Sequence, residues 1–279
     1  MRIMKKLFLI ILLFLIIPSQ SFSQEGKLKK AKQSLNTTTT KSSGTRTSKS
    51  SSSNNNSETS FGAQIAGFFV RLFLLVTYEA LIESKYEYEG RMHDAEIAAY
   101  PYKKATHGNF IYTDSINYSL ARLDISNNFV IENNRLYGNN LNLDFRFLKR
   151  MGLEVDYLQL FEKVNKNVQS FSLFSAMLNY HRIRTQKLDV WFGVGAMHVG
   201  NNVNKKGFAY GVGGEWFVGK PISILGTYKA STINNRTVSK SKILMKYHIN
   251  KYHISSGYEH FTLGVSKVNT FSIGVGVSF

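Results

Sequence analysis

Residues 269–279, NTFSIGVGVSF, place an apolar side chain at every second position and end on an aromatic residue. Successive side chains of a β-strand point to opposite faces, so a period of two gives one apolar face and one small or polar face. The final residues of a soluble domain usually have little to pack against and are polar. We therefore expect a strand that belongs to a sheet up to its last residue, with an apolar face formed by Phe271, Ile273, Val275, Val277 and Phe279.

The same alternation recurs through the second half of the chain. In residues 140–147, for example, Leu141, Leu143 and Phe145 alternate with Asn142 and Asp144. Each such segment has the length and the turn residues at its borders that are typical of a strand. We predict ten strands, at residues 115–126, 137–148, 152–161, 168–181, 188–199, 207–218, 221–231, 238–249, 251–260 and 268–279.

The predicted connections alternate between two kinds. Residues 218–221 (VGKP) and 249–251 (INK) are short, whereas residues 231–240 (STINNRTVSK) and 260–267 (HFTLGVSK) are longer and rich in polar residues. Short turns at one end and longer loops at the other are typical of a transmembrane β-barrel. An interfacial aromatic girdle near the short turns is expected from Tyr180, Trp191, Trp216, Phe217, Tyr247 and Tyr252.

The N-terminal residues resemble a secretory signal. Arg2, Lys5 and Lys6 precede an apolar run at residues 7–17, and small serines follow. This run is shorter than the ~20 residues of a membrane-spanning helix. We therefore predict a signal peptide at residues 1–23 that is cleaved before Gln24. The chain has no cysteine, which excludes disulfides, thiolate metal sites, Cys nucleophiles and a lipidated N-terminal Cys.

Two segments of different composition separate this signal from the predicted strands. Residues 24–60 are rich in Ser, Thr and Asn, with seven basic and two acidic residues. We predict a disordered basic linker there, because so few apolar residues cannot offset chain entropy. Residues 61–83 (FGAQIAGFFVRLFLLVTYEALIE) have apolar residues at helical spacing, and we expect an amphipathic helix on the membrane surface or docked to the protein, with a membrane-spanning helix as the alternative. The Tyr-rich remainder of residues 61–114 is predicted to be a cap, a plug or a periplasmic subdomain.

These features together resemble the outer-membrane β-barrels of Gram-negative bacteria, the superfamily of small OmpA/OmpX-like barrels, over about residues 115–279. The resemblance rests on the terminal strand FSIGVGVSF, the nine similar segments before it and the signal peptide. It implies an all-β antiparallel transmembrane barrel in the cell outer membrane. It also implies that residues 271–279 are read by the barrel-assembly machinery. The ten-strand count departs from the eight strands of the smallest barrels. A twelve-stranded barrel that recruits Gly67–Tyr78 and Asn109–Asp114, an eight-stranded barrel and a soluble sandwich remain alternatives.

Alternation also assigns polar residues to the lumen. The candidates are Asp144, Arg146, Glu154, Asp156, Glu215, Lys242, Lys246 and Glu259. They would either select solutes or form a closed ion-pair network that fills a narrow barrel, and the second interpretation is preferred. Glycines at positions 193, 195, 211, 213, 274 and 276 would either leave a cavity or accommodate neighbouring side chains.

No catalytic, cofactor or metal motif is evident. The spacing of His93, Asp94, Glu96 and His107 matches no metal site, and residues 211–216 (GVGGEW) lack dinucleotide-loop spacing. The formal net charge is +17, but residues 61–279 carry only +9 of it, so a nucleic-acid partner is not expected. We predict a structural, envelope-interaction or adhesion barrel, with lipids and the assembly machinery as partners and periplasmic protein or polysaccharide contact through residues 24–114. A channel for small solutes or lipids is the first alternative, and a lipid-modifying enzyme or protease is the second.

Overall fold

The computed structural model describes residues 26–37, 95–103, 107–111, 121–165 and 167–279. Helix α1 (Lys27–Asn36) comes first, followed by a small ladder of two short strands, β1 (Glu96–Ile97) and β2 (Phe110–Ile111). Ten long strands follow: β3 (Arg122–Ile131), β4 (Leu136–Arg146), β5 (Met151–Val164), β6 (Asn167–Arg184), β7 (Leu188–Val199), β8 (Lys205–Gly219), β9 (Ile222–Ile233), β10 (Arg236–Ile249), β11 (Tyr252–Leu263) and β12 (Ser266–Ser278).

These ten strands form a closed antiparallel barrel. Each strand pairs with its neighbours in sequence, and β12 closes the sheet against β3, with Ile273 opposite Phe129. Closure leaves no sheet edge with unpaired backbone groups, which is what a sheet in lipid requires. The predicted fold class and the count of ten strands are therefore confirmed. Phe110 and Ile111, which the twelve-strand alternative recruited, pair with β1 and not with the barrel.

The barrel has two distinct ends. The basal end carries Arg122, Phe279 and the turns at residues 147–150, 185–187, 220–221 and 250–251. The distal end carries the turns at residues 132–135, between Val164 and Asn167, and at residues 200–204, 234–235 and 264–265.

Several strands run further towards the distal end than the sequence predicts. The predicted loop at residues 231–240 is mostly strand, because β9 continues to Ile233 and β10 begins at Arg236. Only Asn234 and Asn235 turn, with φ of 51° and 58°, and asparagine tolerates this left-handed conformation in a two-residue hairpin. The predicted first strand, residues 115–126, is likewise shifted to 122–131. The alternation of short and long loops is thus wrong, since both ends carry short connections.

In the basal half, the barrel wall is apolar outside and charged inside. The outward side chains of β12 show this, with Ile273 and Val275 exposed while Thr270 and Ser272 are buried. A soluble barrel would have the opposite arrangement. Since an apolar outer wall is stable only against lipid, this half spans a membrane.

In the distal half, the lumen is apolar instead of charged, and the outer wall is mixed, with polar residues on β11 but an exposed Ile131 on β3. On β11, Phe261 and Leu263 are buried in the lumen, while His260 and Thr262 point outward. The distal lumen is an apolar cluster that includes Val130, Leu158, Leu160, Phe171, Leu173, Met177, Met197, Val199, Ile233, Val238, Phe261, Leu263 and Val268. Strands such as β6, with 18 residues, exceed the ~9–11 residues needed to cross the hydrocarbon layer. The distal half therefore extends beyond it.

The predicted aromatic girdle is partly wrong. Trp216, Tyr247 and Tyr252 are exposed on the outer wall. Trp191 and Phe217, in contrast, are buried inside the lumen at 8% and 0% exposure. They occupy inward positions of β7 and β8, so residue type alone assigned them to the wrong face.

Part of the predicted linker is also ordered. Residues 27–36 form α1 rather than a disordered segment, because Leu28, Ala31 and Leu35 align on one face at positions i, i+3 and i+7 and are fully buried. Among the described residues, no helix has the length and hydrophobicity for a membrane crossing. The predicted signal peptide, the remainder of the linker and the helix at residues 61–83 lie outside the described residues.

Candidate functional site

Two acids and two lysines form the centre of the basal lumen. Lys229 Nζ lies 2.8 Å from Glu154 Oε1, and Lys240 Nζ lies 2.8 and 2.9 Å from the two carboxylate oxygens of Asp156. Asn142 Nδ2 donates to Glu154 Oε1 at 2.7 Å. A buried charge is costly unless it is paired and hydrogen-bonded. Here each of the two lysines is paired with one of the two carboxylates.

All eight lumen residues predicted from the sequence lie inside the barrel. Six are buried, at 5% exposure or less, and Asp144 and Lys246 are partly buried. Lys246 pairs with Glu215 at 3.2 Å, and Lys240 approaches Glu259 at 3.9 Å. The arrangement is that of an ion-pair network across the lumen.

A second cluster, which the sequence did not predict, lies nearer the basal mouth. Asp189 accepts from Arg146 Nη1 at 2.7 Å, and its other carboxylate oxygen lies 2.7 Å from His181 Nδ1. The guanidinium of Arg146 stands 6.0 Å above the ring of Trp191. A register shift in β6 between His181 and Ile183 adjusts the direction of the strand here. Asp189, an acidic residue at an inward position of β7, was the feature of the sequence that could have indicated this cluster.

Residues 95–103 and 107–111 occupy the basal mouth. Arg184 Nη1 donates to Ala95 O at 3.0 Å, and Arg122 Nη1 donates to Ala98 O at 3.1 Å. The Tyr102 hydroxyl donates to Ile222 O at 2.5 Å, and its ring packs edge-on against Phe217 at 5.5 Å. Burial raises the pKa of the Tyr102 phenol to about 12. The described part of the Tyr-rich segment therefore lies in the basal mouth.

Helix α1 occupies the distal mouth, and a barrel carboxylate caps it. The backbone N–H groups of Lys27 and Leu28 each donate to Glu162 at 2.8 Å, one to each carboxylate oxygen. Free N–H groups and the helix dipole make this terminus attract an anion. Lys27 Nζ also pairs with Glu132 at 2.7 Å. The start of α1 is thereby fixed by polar contacts from the barrel wall.

The rest of α1 seals the mouth with its apolar face. Leu28, Ala31 and Leu35 are 0% exposed and belong to the distal apolar cluster. Asn234 Nδ2 donates to Leu35 O, and Ser266 Oγ donates to Lys27 O at 2.8 Å. At the turn after β11, Gly264 has φ +65° and lies against Ser34, so a larger residue would not fit there.

A charged cavity of about 50 Å³ lies in the basal lumen, lined by residues that include Asp144, Glu154 and Lys242, and it has room for ~4 water molecules. The glycines considered as cavity-forming instead make room for neighbours: Trp191 lies over Gly213, and His253 lies over Gly276. Of the two interpretations of these glycines, accommodation of neighbouring side chains fits the structure.

Ser223 and His248 lie within hydrogen-bond distance of each other in the basal lumen. Ser223 Oγ donates to Glu215 Oε1 at 2.7 Å and lies 2.8 Å from His248 Nε2. Ser223 is fully buried. His260 points outward and is hydrogen-bonded to Asn269. A search of the described residues finds no cluster of three His, Cys, Asp or Glu that could hold a metal.

No protein-family model matches the sequence, and no curated protein matches it. Among solved structures, the outer membrane protein Ail of Yersinia pestis is 16% identical, with a TM-score of 0.32, over 57% of this chain and 99% of that one. An outer membrane channel from Pseudomonas putida F1 is 9% identical, with a TM-score of 0.36, over 61% of this chain and 100% of the other. Neisserial surface protein A is 13% identical, with a TM-score of 0.30, over 57% and 96%. At these identities and TM-scores, the three matches assign neither a family nor an activity to this chain.

Proposed function

We propose that the protein is a non-conducting outer-membrane barrel with a structural or envelope-interaction role. The observation that supports it is the occupation of both mouths, by α1 at the distal end and by residues 95–103 and 107–111 at the basal end. Among the described residues, side chains of the ion-pair network extend into the lumen between them, whereas a porin has a water-filled channel there. We propose that contact with a periplasmic protein or polysaccharide is made through residues 24–114.

Planar-bilayer conductance tests this role against the channel alternative. The purified full chain should insert without stable unitary openings. A variant that lacks residues 24–37 should also stay closed, because the basal network remains in place. Stable openings of the intact chain would overturn the proposal in favour of a channel. Turnover of lipid A or peptide that disappears in His260→Ala would overturn it in favour of an enzyme.

The proposed location and assembly signal have their own test. Cell fractionation should recover the protein in the outer membrane, processed before Gln24, with mobility on SDS gels that changes on boiling. Deletion of Phe279 should reduce both the recovery and the mobility change, because residues 271–279 are proposed to be the assembly signal. Full recovery of the deletion variant would contradict that role, and soluble periplasmic protein would contradict the location.

A further inference from the structure

Cations surround the distal mouth of the barrel. Of the five distal hairpins, four carry a cation in the turn or within two residues of it: Arg135, Lys205, Arg236 and Lys267. Three of these side chains are exposed, and that of Arg236 is half-buried. Because the hairpins are spaced around a closed barrel, their cations form a ring around the mouth.

Helix α1 adds lysines inside this ring. Its apolar face is buried in the barrel, so Lys29 is exposed and Lys32 is half-buried above the mouth. The helix reaches across the mouth to the turn after β7, where Asn36 Nδ2 donates to Asn202 O at 3.3 Å. We use the term distal basic surface for the two helix lysines and the four hairpin cations together: Lys29, Lys32, Arg135, Lys205, Arg236 and Lys267.

The acids at this end are already engaged with α1. The structure describes two of them, and Glu132 pairs with Lys27 while Glu162 accepts from the backbone at the start of the helix. No residue of the distal basic surface forms an ion pair with a described acid. The surface therefore presents a positive potential to the solvent, which attracts polyanions.

The position of this surface distinguishes it from a contact with lipid headgroups. Lys29 and Lys32 lie above the lumen, where no lipid stands. On β12, Lys267 is four residues beyond Phe271, the last apolar outward residue. At ~3.3 Å per residue and a tilt of ~45°, this is ~9 Å along the barrel axis, against a headgroup layer of ~6 Å.

The residues between these cations favour a sugar polymer over a protein or a nucleic acid. The described distal turns and α1 contain no aromatic residue, whereas aromatic side chains anchor protein partners and stack on single-stranded bases. Exposed asparagines stand there instead: Asn134, Asn165, Asn202 and Asn235. Three of them have the left-handed backbone that a tight turn requires. Their exposed amides can both donate to and accept from hydroxyl groups.

We propose that the distal basic surface binds an anionic polysaccharide, a chain of sugars with carboxylate, sulfate or phosphate groups, laid across α1 and the surrounding hairpins. The cations pair with the anionic groups, and the asparagine amides bind the hydroxyl groups. This inference rests on the polysaccharide contact proposed above for residues 24–114, which include α1. It adds the barrel hairpins to that contact and defines the charge of the partner.

Binding of defined polymers to the full chain in nanodiscs of zwitterionic lipid tests the proposal. Polygalacturonate has one carboxylate per sugar, dextran has none, and poly-glutamate has one carboxylate per residue but no hydroxyl groups. Polygalacturonate should bind at least about tenfold more tightly than the other two, and its binding should weaken as salt is added. Equal binding of dextran would overturn the role of charge, and equal binding of poly-glutamate would overturn the polysaccharide in favour of an acidic protein.

Two matched variants locate the site. One removes three exposed distal cations: Arg135→Gln, Lys205→Gln and Lys267→Gln. The control removes the same charge from exposed lysines of the basal turns: Lys187→Gln, Lys220→Gln and Lys251→Gln. Both should keep the mobility change on boiling that indicates a folded barrel. The distal variant should lose affinity for polygalacturonate by about tenfold or more, while the control keeps it. Equal losses would mean that net charge alone causes the binding and would overturn the site.

A variant of the helix tests the position across α1. Lys29→Gln combined with Lys32→Gln should also weaken the binding of polygalacturonate, and no loss would overturn the placement of the polymer over the helix. Planar-bilayer conductance of the same samples separates this site from the non-conducting role proposed above. A closed barrel that binds no polygalacturonate would overturn the polysaccharide site alone. A conducting barrel that binds it through the distal cations would support the site and overturn the non-conducting role.

Discussion

The basal and distal halves of the barrel use the same strands but have lumens of opposite polarity. On β5, the inward residue Asp156 pairs with Lys240 in the basal half, and the next inward residue, Leu158, belongs to the distal apolar cluster. On β12, Val275 faces lipid and Lys267 points outward near the distal turn. Inward and outward positions alternate in the same way along both halves of these strands, but the outer wall of the basal half is in contact with lipid and that of the distal half extends beyond it.

This difference shows that the outer solvent decides what stabilises each half. In lipid, the hydrophobic effect favours apolar residues outside, and the polar lumen must satisfy itself through ion pairs and hydrogen bonds. Above the lipid, the same barrel buries apolar residues inside as a soluble domain does, and α1 supplies the missing part of that core. One half can therefore be perturbed while the other half, or an unperturbed contact in the same half, serves as the control.

The largest effect is expected from removing one member of the basal network. Asp156→Ala removes the carboxylate that pairs with the buried Lys240 and lies near Lys229. Because a buried charge is then left without its partner, we expect a loss of ~3–5 kcal/mol in the free energy of unfolding. Leu158→Ala, two residues along β5, should cost ~2–5 kcal/mol by leaving a cavity. Urea unfolding in lipid vesicles measures both.

The two losses should respond differently to a second substitution. Lys240→Met should restore much of the stability of Asp156→Ala, because it removes a buried unpaired charge. The same substitution should not restore Leu158→Ala. If Lys240→Met rescued neither variant, the basal lumen would not be the coupled network described above.

A lysine introduced on the outer wall should lower the free energy of unfolding more in the basal half than in the distal half. Val275→Lys places an ammonium in the middle of the apolar band of β12, and we expect a cost of ~2–4 kcal/mol. Thr262→Lys, outward on β11 in the distal half, should change stability by less than ~0.5 kcal/mol. Equal costs at the two sites would mean that the distal wall also lies in lipid.

The sequence predicts the strands better than it predicts the polarity of each half. Alternation gave the correct number of strands and located nine of them to within a few residues, because a period of two does not depend on which face is in contact with water, but it placed the first strand several residues too early. It did not locate the distal ends of β9 to β12. At these ends, outward positions carry polar residues such as Thr232 and Thr262, and the resulting polar stretches are typical of loops. Trp191 was assigned to the lipid face because an aromatic residue near a turn is typical of an interfacial girdle. Its position in the alternation of β7, which places it on the inward face, was not taken into account.

The candidate site was harder to predict because its parts are distant in sequence. Glu162 and the start of α1 are 135 residues apart at Lys27, and no local pattern links a carboxylate to a helix terminus. Residues 27–36 did carry a signal, the spacing of Leu28, Ala31 and Leu35. The low-complexity sequence after them obscured it.

Weakening the contact at Glu162 should release α1 without unfolding the barrel. Glu162→Gln keeps one acceptor and removes the charge, and we expect the docking of α1 to weaken by ~1–3 kcal/mol. An impermeant maleimide should then label a buried Ala31→Cys roughly tenfold faster. Thr237→Ser, on the outer wall, provides the matched control and should leave the rate unchanged. An unchanged rate in Glu162→Gln would mean that the apolar face of α1 alone sets its docking.

The smallest effect is expected at the basal mouth, where Tyr102 holds residues 95–103. Tyr102→Phe removes the hydrogen bond to Ile222 O and should weaken the docking of this segment by ~1 kcal/mol. The ordinary phenol pKa is 10.0, and burial raises that of Tyr102 to about 12. The released phenol therefore ionises before the docked one, so docking should weaken as pH rises from about 10 to about 12 and then level off. An ultraviolet titration of the intact protein minus that of Tyr102→Phe isolates this one phenol. A midpoint near 10 would show that Tyr102 is in contact with water and that the basal mouth is open.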